Sequence, residues 1–354
     1  MPNTWSHHFS PQAEWSLDDM PDQSGKVFLI TGGNTGLGFA TAKALLGRNA
    51  KVYITSRDRE RGQAAVDQLR RVSEAIHMLQ LDLCDLYSVR RAAGECMRRE
   101  QSLHVLINNA GVMCPPTSLL TRQRYDYQFG VNVLGHFYLT RLLLPVLLST
   151  AKATAQKVRV INYTCDIPPS CRIDYTTLMD GPVRRKRTAA QLHLQSKLAN
   201  LLFSLELADQ YAEQGIVSIA VNPGKVYTDL TRHSRGVGTA VRNMLSYDIS
   251  KGVVTPLFAA TAPQAERMNG KLLLPWAHVG EIPTSLLARC AGETLWDWLV
   301  AQTECFDMLN DEGYQTTSSA LSPISTMHQY ELMRRMPIPS ASCRLSLTIQ
   351  TRIQ

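Results

Sequence analysis

The sequence lacks any apolar run of the roughly 18 to 20 residues that a bilayer-spanning helix needs. Its longest apolar candidate, Leu142 to Leu148, is much too short, so we predict no transmembrane anchor. The first 21 residues also lack a basic start followed by an apolar stretch, and we therefore expect no secretory signal and a cytoplasmic location.

No CxxC pair occurs among the eight cysteines. This absence argues against a structural zinc site or a redox pair, and we predict no metal. Without a secretory signal, reduced thiols in a reducing compartment are the simplest interpretation.

The chain has little excess charge, with 37 basic against 30 acidic residues and a net charge of +7. A nucleic-acid partner would need a broad basic surface with interleaved aromatic residues, which the sequence does not show. Part of the excess lies in one run, Arg184 to Arg187. We interpret this run as a solvated loop, with a nuclear signal or an anion contact as the alternative.

Hydrophobic residues make up 44% of the chain and charged residues 19%, which is enough apolar side chain for a sizeable core. Short segments that are apolar on both faces alternate with longer segments of helical period. This alternation predicts an α/β fold with a doubly wound parallel sheet of about seven strands. The predicted strands are residues 26–31, 51–56, 77–81, 104–108, 157–163, 217–221 and 271–275. The predicted helices are residues 37–48, 60–72, 86–100, 122–148, 189–213, 251–260 and 291–303.

Two terminal segments fall outside this pattern. Residues 1–23 carry two tryptophans and several acids, and we expect an arm that lies over the sheet. Residues 306–354 are polar and rich in Ser and Thr, which predicts a weakly ordered tail. The remainder, residues 24–305, is expected to form a single domain.

A glycine-rich turn, Thr31 to Gly38, joins the first predicted strand to the first helix. Glycine permits the tight turn and lets the backbone approach a pyrophosphate, while the helix start offers free N–H groups to the anion. The turn therefore predicts a Rossmann-type dinucleotide site; a glycine turn without a ligand is the alternative. The residues expected to contact the cofactor here are Gly32, Asn34, Gly36, Leu37 and Gly38.

Arg57 follows the second predicted strand, at the position that lies beside the adenosine ribose in such folds. An arginine there favours a 2′-phosphate, and we predict NADP(H) as the cofactor. Asp82, after the third strand, is placed to bind the adenine amino group. The alternatives are a surface arginine and a turn aspartate that caps the next helix.

Together with three further motifs, this pattern is similar to the short-chain dehydrogenase/reductase family. The glycine turn has the family's T-G-x-x-x-G-x-G form, residues 108–111 read N-N-A-G, residues 196–200 read S-K-L-A-N, and residues 223–228 resemble its P-G-x-V-x-T segment. The resemblance covers about residues 24–303. It implies further cofactor contacts from Asn109, Ala110, Gly111, Lys197, Pro223, Gly224, Val226 and Thr228.

Within that family, the sequence looks like the retinol-dehydrogenase-like enzymes of filamentous fungi. The resemblance lies in Leu17 to Gly25, in Pro115-Pro116 and in Lys271 to Trp276. It implies a lipophilic small-molecule substrate, a role in secondary-metabolite biosynthesis and a substrate lid at about residues 229–250. It also leaves a homo-oligomer open.

The expected catalytic positions depart from the family's pattern. The active-site Asn is matched by Asn132, but Cys165 stands where the family has Ser, with Thr164 just before it. The family's Tyr, four residues before its Lys, is replaced here by His193 before Lys197. Residues at i and i+4 share a helix face, so both side chains are expected to face the same cleft.

An imidazole can move protons, but a neighbouring lysine disfavours its charged form. We therefore expect a mostly neutral His193 that is a better base than acid, or a side chain that only fills the space of the missing tyrosine. Cys165 could equally be a small buried filler. His136, one turn after Asn132, is interpreted as a helix-packing residue.

The sequence thus leaves three hypotheses. The first is an NADP(H)-dependent oxidoreductase that interconverts an alcohol and a carbonyl. The second is a non-redox isomerase, dehydratase or cyclase that uses His193 as a base. The third is a non-catalytic NADP-binding protein.

Overall fold

The computed structural model describes residues 15–224, 226, 248–287 and 290–307. Thr228, almost all of the predicted lid and the predicted tail beyond residue 307 lie outside these ranges. The chain divides into two compact units, Met1–Leu286 and Leu287–Gln354. The described part of the second unit contains one helix, Ala291–Asp307.

One sheet organises the first unit. Its described strands are β1 (Val27–Ile30), β2 (Lys51–Ser56), β3 (Ile76–Gln80), β4 (Val105–Asn108), β5 (Val158–Tyr163), β6 (Ile216–Val221), β7 (Leu272–Leu274) and β8 (His278–Gly280). Their spatial order is β3-β2-β1-β4-β5-β6-β7-β8, with every neighbouring pair parallel except the last. The doubly wound parallel fold is confirmed. The strand number differs from the prediction, because the short β8 pairs antiparallel with β7 at the sheet's edge.

Helices cover both faces of this sheet. The described helices of the first unit are α1 (Gly36–Leu46), α2 (Arg59–Leu69), α3 (Leu86–Arg99), α4 (Gly135–Thr154), α5 (Pro182–Arg185), α6 (Ala189–Tyr211), α7 (Ile249–Gly252) and α8 (Val254–Thr261). Strands β1, β4, β5 and β6 are buried along their whole length, as a parallel sheet covered on both faces requires.

The helix predicted from residue 122 begins five residues later. The Asp126 carboxylate accepts hydrogen bonds from the Gln128 and Phe129 amides, at 3.1 and 2.9 Å, and so caps a single turn, Tyr127–Phe129. A π-helical turn, Gly130–Leu134, links this turn to α4. By length and composition alone, the 28-residue segment Tyr127–Thr154, with a mean hydropathy of 1.5 over its most apolar window, could cross a membrane, which corrects the expectation that no apolar stretch of such length exists. However, 72% of that window is buried inside the structure, as in the core helix of a folded domain.

Arg184 corrects the interpretation of the basic run as a solvated loop. Its guanidinium is 2% exposed and lies 3.0 Å from the equally buried Asp126 carboxylate. It also donates hydrogen bonds to the carbonyls of Thr117 and Leu119, at 2.7 and 2.9 Å. Arg184 is therefore an internal link in the fold, because its buried guanidinium binds one carboxylate and two backbone carbonyls, whereas the other three residues of the run are exposed.

The described part of the N-terminal arm packs into the core. Trp15 and Met20 are buried, and the Trp15 ring meets Phe258 edge-on at 5.6 Å. Arg48 fixes the arm by donating hydrogen bonds to the carbonyls of Leu17 and Asp18, both at 3.0 Å.

Five described cysteines form no disulfide, in agreement with the predicted reduced state; these are Cys84, Cys96, Cys114, Cys165 and Cys171. Cys290 instead forms a disulfide, so the expectation that all eight thiols are reduced is wrong at this position.

Candidate active site

The glycine turn brings the backbone to a close approach at the carboxyl end of β1. Gly32 and Gly36 have positive φ angles of 64° and 56°, a conformation that favours glycine. A Cβ at Gly38 would lie 2.6 Å from the Gly32 carbonyl oxygen, so only glycine fits there. Helix α1 starts at Gly36 without a side-chain cap from Thr35, which leaves its first amides free to meet an anion.

The N-N-A-G turn after β4 is fastened to the glycine turn. The Asn109 side-chain amide donates to the Thr31 carbonyl at 2.7 Å, and the Ala110 amide donates to the Thr31 hydroxyl at 2.9 Å. A Cβ on Gly32 would lie 3.0 Å from the Ala110 Cβ. The two turns therefore form one compact edge, with Gly111 half-buried beside it.

A buried chain of hydrogen bonds joins this edge to the π-helical turn that carries Asn132. His136 Nδ1 lies 3.0 Å from the Asn132 carbonyl, which can only accept, so Nδ1 carries the proton. Nε2 then accepts from the Thr31 hydroxyl at 2.8 Å. Burial lowers the pKa of His136 to about 4, so the ring is neutral and both of its nitrogens are satisfied. Sequence reasoning assigned His136 to packing alone and gave Thr31 no role, because the partners lie 105 residues apart.

Asn132 is fully buried, and both its side-chain oxygen and its side-chain nitrogen have hydrogen-bond partners. Its amide accepts from the Val112 N–H at 2.8 Å and donates to the Val112 carbonyl at 3.1 Å and to the Ser196 hydroxyl at 3.0 Å. This side chain therefore sets the distance between the turn after β4 and helix α6.

His193 lies on α6 and is 8% exposed. Burial, then the nearby Lys197 ammonium, lower its pKa to about 3, while a contact with the Val112 backbone acts in the opposite direction. The imidazole is thus neutral at physiological pH. Its Nδ1 is buried and has no hydrogen-bond partner among the described residues.

Lys197 follows one turn later and is 7% exposed. Its ammonium donates to the Tyr163 carbonyl at 3.2 Å, an acceptor that it shares with the Asn200 side chain at 2.9 Å. Burial lowers the Lys197 pKa. Within the described ranges this carbonyl is the single acceptor of an ammonium that has three N–H groups.

Thr164 and Cys165 directly follow strand β5, beside Lys197. The Thr164 hydroxyl is buried and donates to the Lys197 carbonyl at 2.8 Å, so it holds the helix. Cys165 is half-buried, and its thiol contacts only its neighbour's carbonyl, that of Asp166, at 3.5 Å. Burial raises the pKa of Cys165 to about 11, which keeps it a neutral, weak donor.

The predicted adenosine-side residues lie together at the ends of β2 and β3. Arg57 is exposed, and its guanidinium donates to the Tyr127 hydroxyl at 3.2 Å. The Asp82 carboxylate accepts from the Cys84 amide at 3.1 Å, whereas the side chain that caps α3 is that of Asp85.

On the other side of the edge, Gly224 has a φ of 81°, and its N–H donates to the side-chain oxygen of Asn222. A Cβ at this position would lie against Pro275. Val226 and Leu37 both lie against Gly252. Pro223 and Asn34 are half-buried at the same edge.

Gln128 is a structural contributor that the sequence did not reveal. It accepts from the Cys114 amide at 2.9 Å and donates to the Ala189 carbonyl at 2.8 Å, which ties the loop after β4 to the start of α6. In the ranges that the structure describes, no group of three His, Cys, Asp or Glu side chains could hold a metal ion.

The fold and this edge define a Rossmann-type α/β protein, and the comparisons with known proteins specify its family. Residues 26–175 match the family model described as short chain dehydrogenase. A short-chain dehydrogenase/reductase of Armillaria gallica is 43% identical over 307 residues, which cover 85% of this chain and 99% of that protein. Human retinol dehydrogenase 12 is 39% identical, over 77% of this chain and 84% of that protein. The chain therefore belongs to the short-chain dehydrogenase/reductase family, and its resemblance to fungal members and to retinol dehydrogenases is confirmed.

The Pseudomonas aeruginosa RhlG/NADP active-site complex superposes with a TM-score of 0.58 at 23% identity, over 72% of this chain and 95% of that chain. At this identity the likeness shows the fold alone. The family membership, by contrast, identifies the protein as an oxidoreductase of short-chain dehydrogenase/reductase type.

Proposed function

We propose that this protein uses NADP(H) to interconvert an alcohol and a carbonyl on a lipophilic small molecule. The observation that carries the proposal is the buried pair His193 and Lys197, one helical turn apart at the same sheet edge as the glycine turn. We also expect a cytoplasmic location and a role in secondary metabolism.

Two features of the edge fit a nicotinamide dinucleotide. At Gly38 the glycine turn has no room for a side chain, so a ligand there would meet the backbone directly. The free amides at the start of α1 suit a diphosphate. The Lys197 ammonium is buried with one protein acceptor in the described ranges, and a buried cation with unused donors is unfavourable unless further acceptors arrive. Ribose hydroxyls would supply such acceptors. The bound nicotinamide would give or take the hydride.

Our proposal gives His193 a hydrogen-bond donor role in place of the base role that the sequence favoured. A group with a pKa of about 3 is a weak base, and this disfavours an isomerase or dehydratase that depends on His193 to remove a proton. A neutral imidazole can instead donate an N–H hydrogen bond to an oxygen on which negative charge develops. This donor role supports carbonyl polarisation, with the Cys165 thiol as a weaker second donor, and the proton that converts the resulting alkoxide into the alcohol would come from water.

The substrate class rests on the relatives. Human retinol dehydrogenase 12 carries the name of a lipophilic alcohol, and several related fungal proteins are named only as short-chain dehydrogenase/reductases. We therefore propose an apolar alcohol or carbonyl compound of fungal metabolism as the substrate.

The test measures NADPH oxidation with a panel of lipophilic aldehydes and ketones, retinal included. In Lys197→Ala we expect kcat/KM to fall by about a hundredfold or more, because the lost ammonium would hold the ribose of the cofactor. Lys152→Ala, an exposed lysine at the end of α4, is the matched control and should leave the rate unchanged. Absence of nucleotide binding by the folded protein, or equal rates in the Lys197 and Lys152 variants, would refute the proposal.

A further inference from the structure

Arg57 has a partner that the sequence did not predict. Its Nη1 donates to the hydroxyl oxygen of Tyr127 at 3.2 Å, across a separation of 70 residues. Tyr127 lies on the single turn that Asp126 caps, directly before the π-helical turn that carries Asn132. The tip of β2 is therefore linked to the segment that leads into α4.

The charge of this guanidinium is not neutralised within the described part of the chain. No carboxylate there lies within ion-pair distance of Arg57, and the nearby Asp82 accepts from the Cys84 amide. The Tyr127 oxygen accepts from Arg57, so its own O–H remains to donate. Burial raises the Tyr127 pKa, which keeps that proton in place at neutral pH. The pair thus presents a cation and a hydroxyl donor side by side.

We propose that Tyr127 is a specificity-determining residue, which holds the Arg57 guanidinium in place and donates its own hydroxyl to the 2′-phosphate of NADP(H). This inference rests on the proposed function. Its physical basis is that a phosphate accepts several charge-assisted hydrogen bonds, and that a guanidinium fixed in advance loses less side-chain freedom on binding. NADH lacks the 2′-phosphate, so the pair should contribute to NADPH binding alone.

The experiment measures the dissociation constants of NADPH and NADH by titration calorimetry for the full chain and its variants. In Tyr127→Phe we expect NADPH affinity to fall about tenfold, as for the loss of one hydrogen bond to a charged group, with NADH affinity unchanged. Arg57→Ala should weaken NADPH binding further, again without an effect on NADH. The double variant should lose less than the product of the two single losses, because the residues act as a unit.

Tyr211→Phe, near the end of α6 and away from the edge, is the control and should change neither constant. Competition by 2′-AMP against 5′-AMP is a second readout, and Tyr127→Phe should weaken only 2′-AMP. An unchanged ratio of NADPH to NADH affinity in Tyr127→Phe would overturn the inference while the proposed function stands. A wild-type protein that prefers NADH would overturn both the inference and the proposed use of NADP(H), and so would one that binds neither nucleotide.

Discussion

At the residue scale, His193 decides how this site differs from the family pattern. The sequence correctly places His193 one turn before Lys197, and the structure adds that the ring is nearly buried beside Val112. The extent of burial depends on elements far apart in the chain, so residue spacing alone could not predict a pKa of about 3.

We therefore predict a flat pH profile. Because the lowered pKa keeps His193 neutral down to about pH 3, kcat/KM should show no inflection from an imidazole between pH 5 and 8. His193→Tyr should raise carbonyl reduction, by up to about a hundredfold, since a phenol next to the Lys197 ammonium is a better proton donor.

His193→Phe is the matched control for this pair of experiments, because it keeps the ring and removes the N–H. We expect it to lower kcat/KM with little change in nucleotide affinity. Equal rates in the wild type and in His193→Phe would show that the imidazole only fills space.

At the element scale, the ion pair between Asp126 and Arg184 joins the segment before α4 to the short α5. Both side chains are 2% exposed, and the Asp126 carboxylate also caps the Tyr127 turn. Removal of one partner from a buried pair leaves an uncompensated charge.

We predict that Arg184→Met lowers the free energy of unfolding by about 3 to 5 kcal/mol. Arg185→Ala is the adjacent control: Arg185 is 66% exposed and pairs with Asp180 at 2.9 Å, so we expect a loss of at most about 1 kcal/mol. Urea titration of both variants provides the measurement. Similar losses in the two would mean that the buried pair contributes no more than a surface contact.

The elements themselves were predictable where the pattern is local. Strand β2 coincides with its predicted span, because its six residues form one short, mostly apolar segment that a helix end and a turn delimit in the sequence. Strand β8 escaped prediction because three residues are too short for a periodic signal, and its pairing with β7 is a tertiary effect. The partners of Arg184 were equally hidden, since Asp126 lies 58 residues away.

At the scale of the whole molecule, the four described histidines with a shifted pKa all have that pKa lowered. The pKa values of His77 and His104 are lowered, chiefly by burial, and those of His136 and His193 are lowered to about 4 and about 3. An unfolded histidine takes up a proton near pH 6.5. Between about pH 4.5 and 6.5 the unfolded chain therefore binds more protons than the folded chain at these positions.

Stability should consequently rise with pH across this window and be lost as the pH falls through it. His136 and His193 should each contribute a slope of up to about 1.4 kcal/mol per pH unit, whereas unfolded carboxylates add protons mainly below about pH 4.5. Urea unfolding of the wild type at half-unit steps from pH 4.5 to 7.5 measures the slope. His136→Gln should reduce this slope by up to about 1.4 kcal/mol per pH unit, the contribution of one histidine. The loss of the Thr31 hydrogen bond should also lower stability at every pH. A wild-type stability that stays constant from pH 7.5 to 5 would contradict the neutral, buried state of both rings.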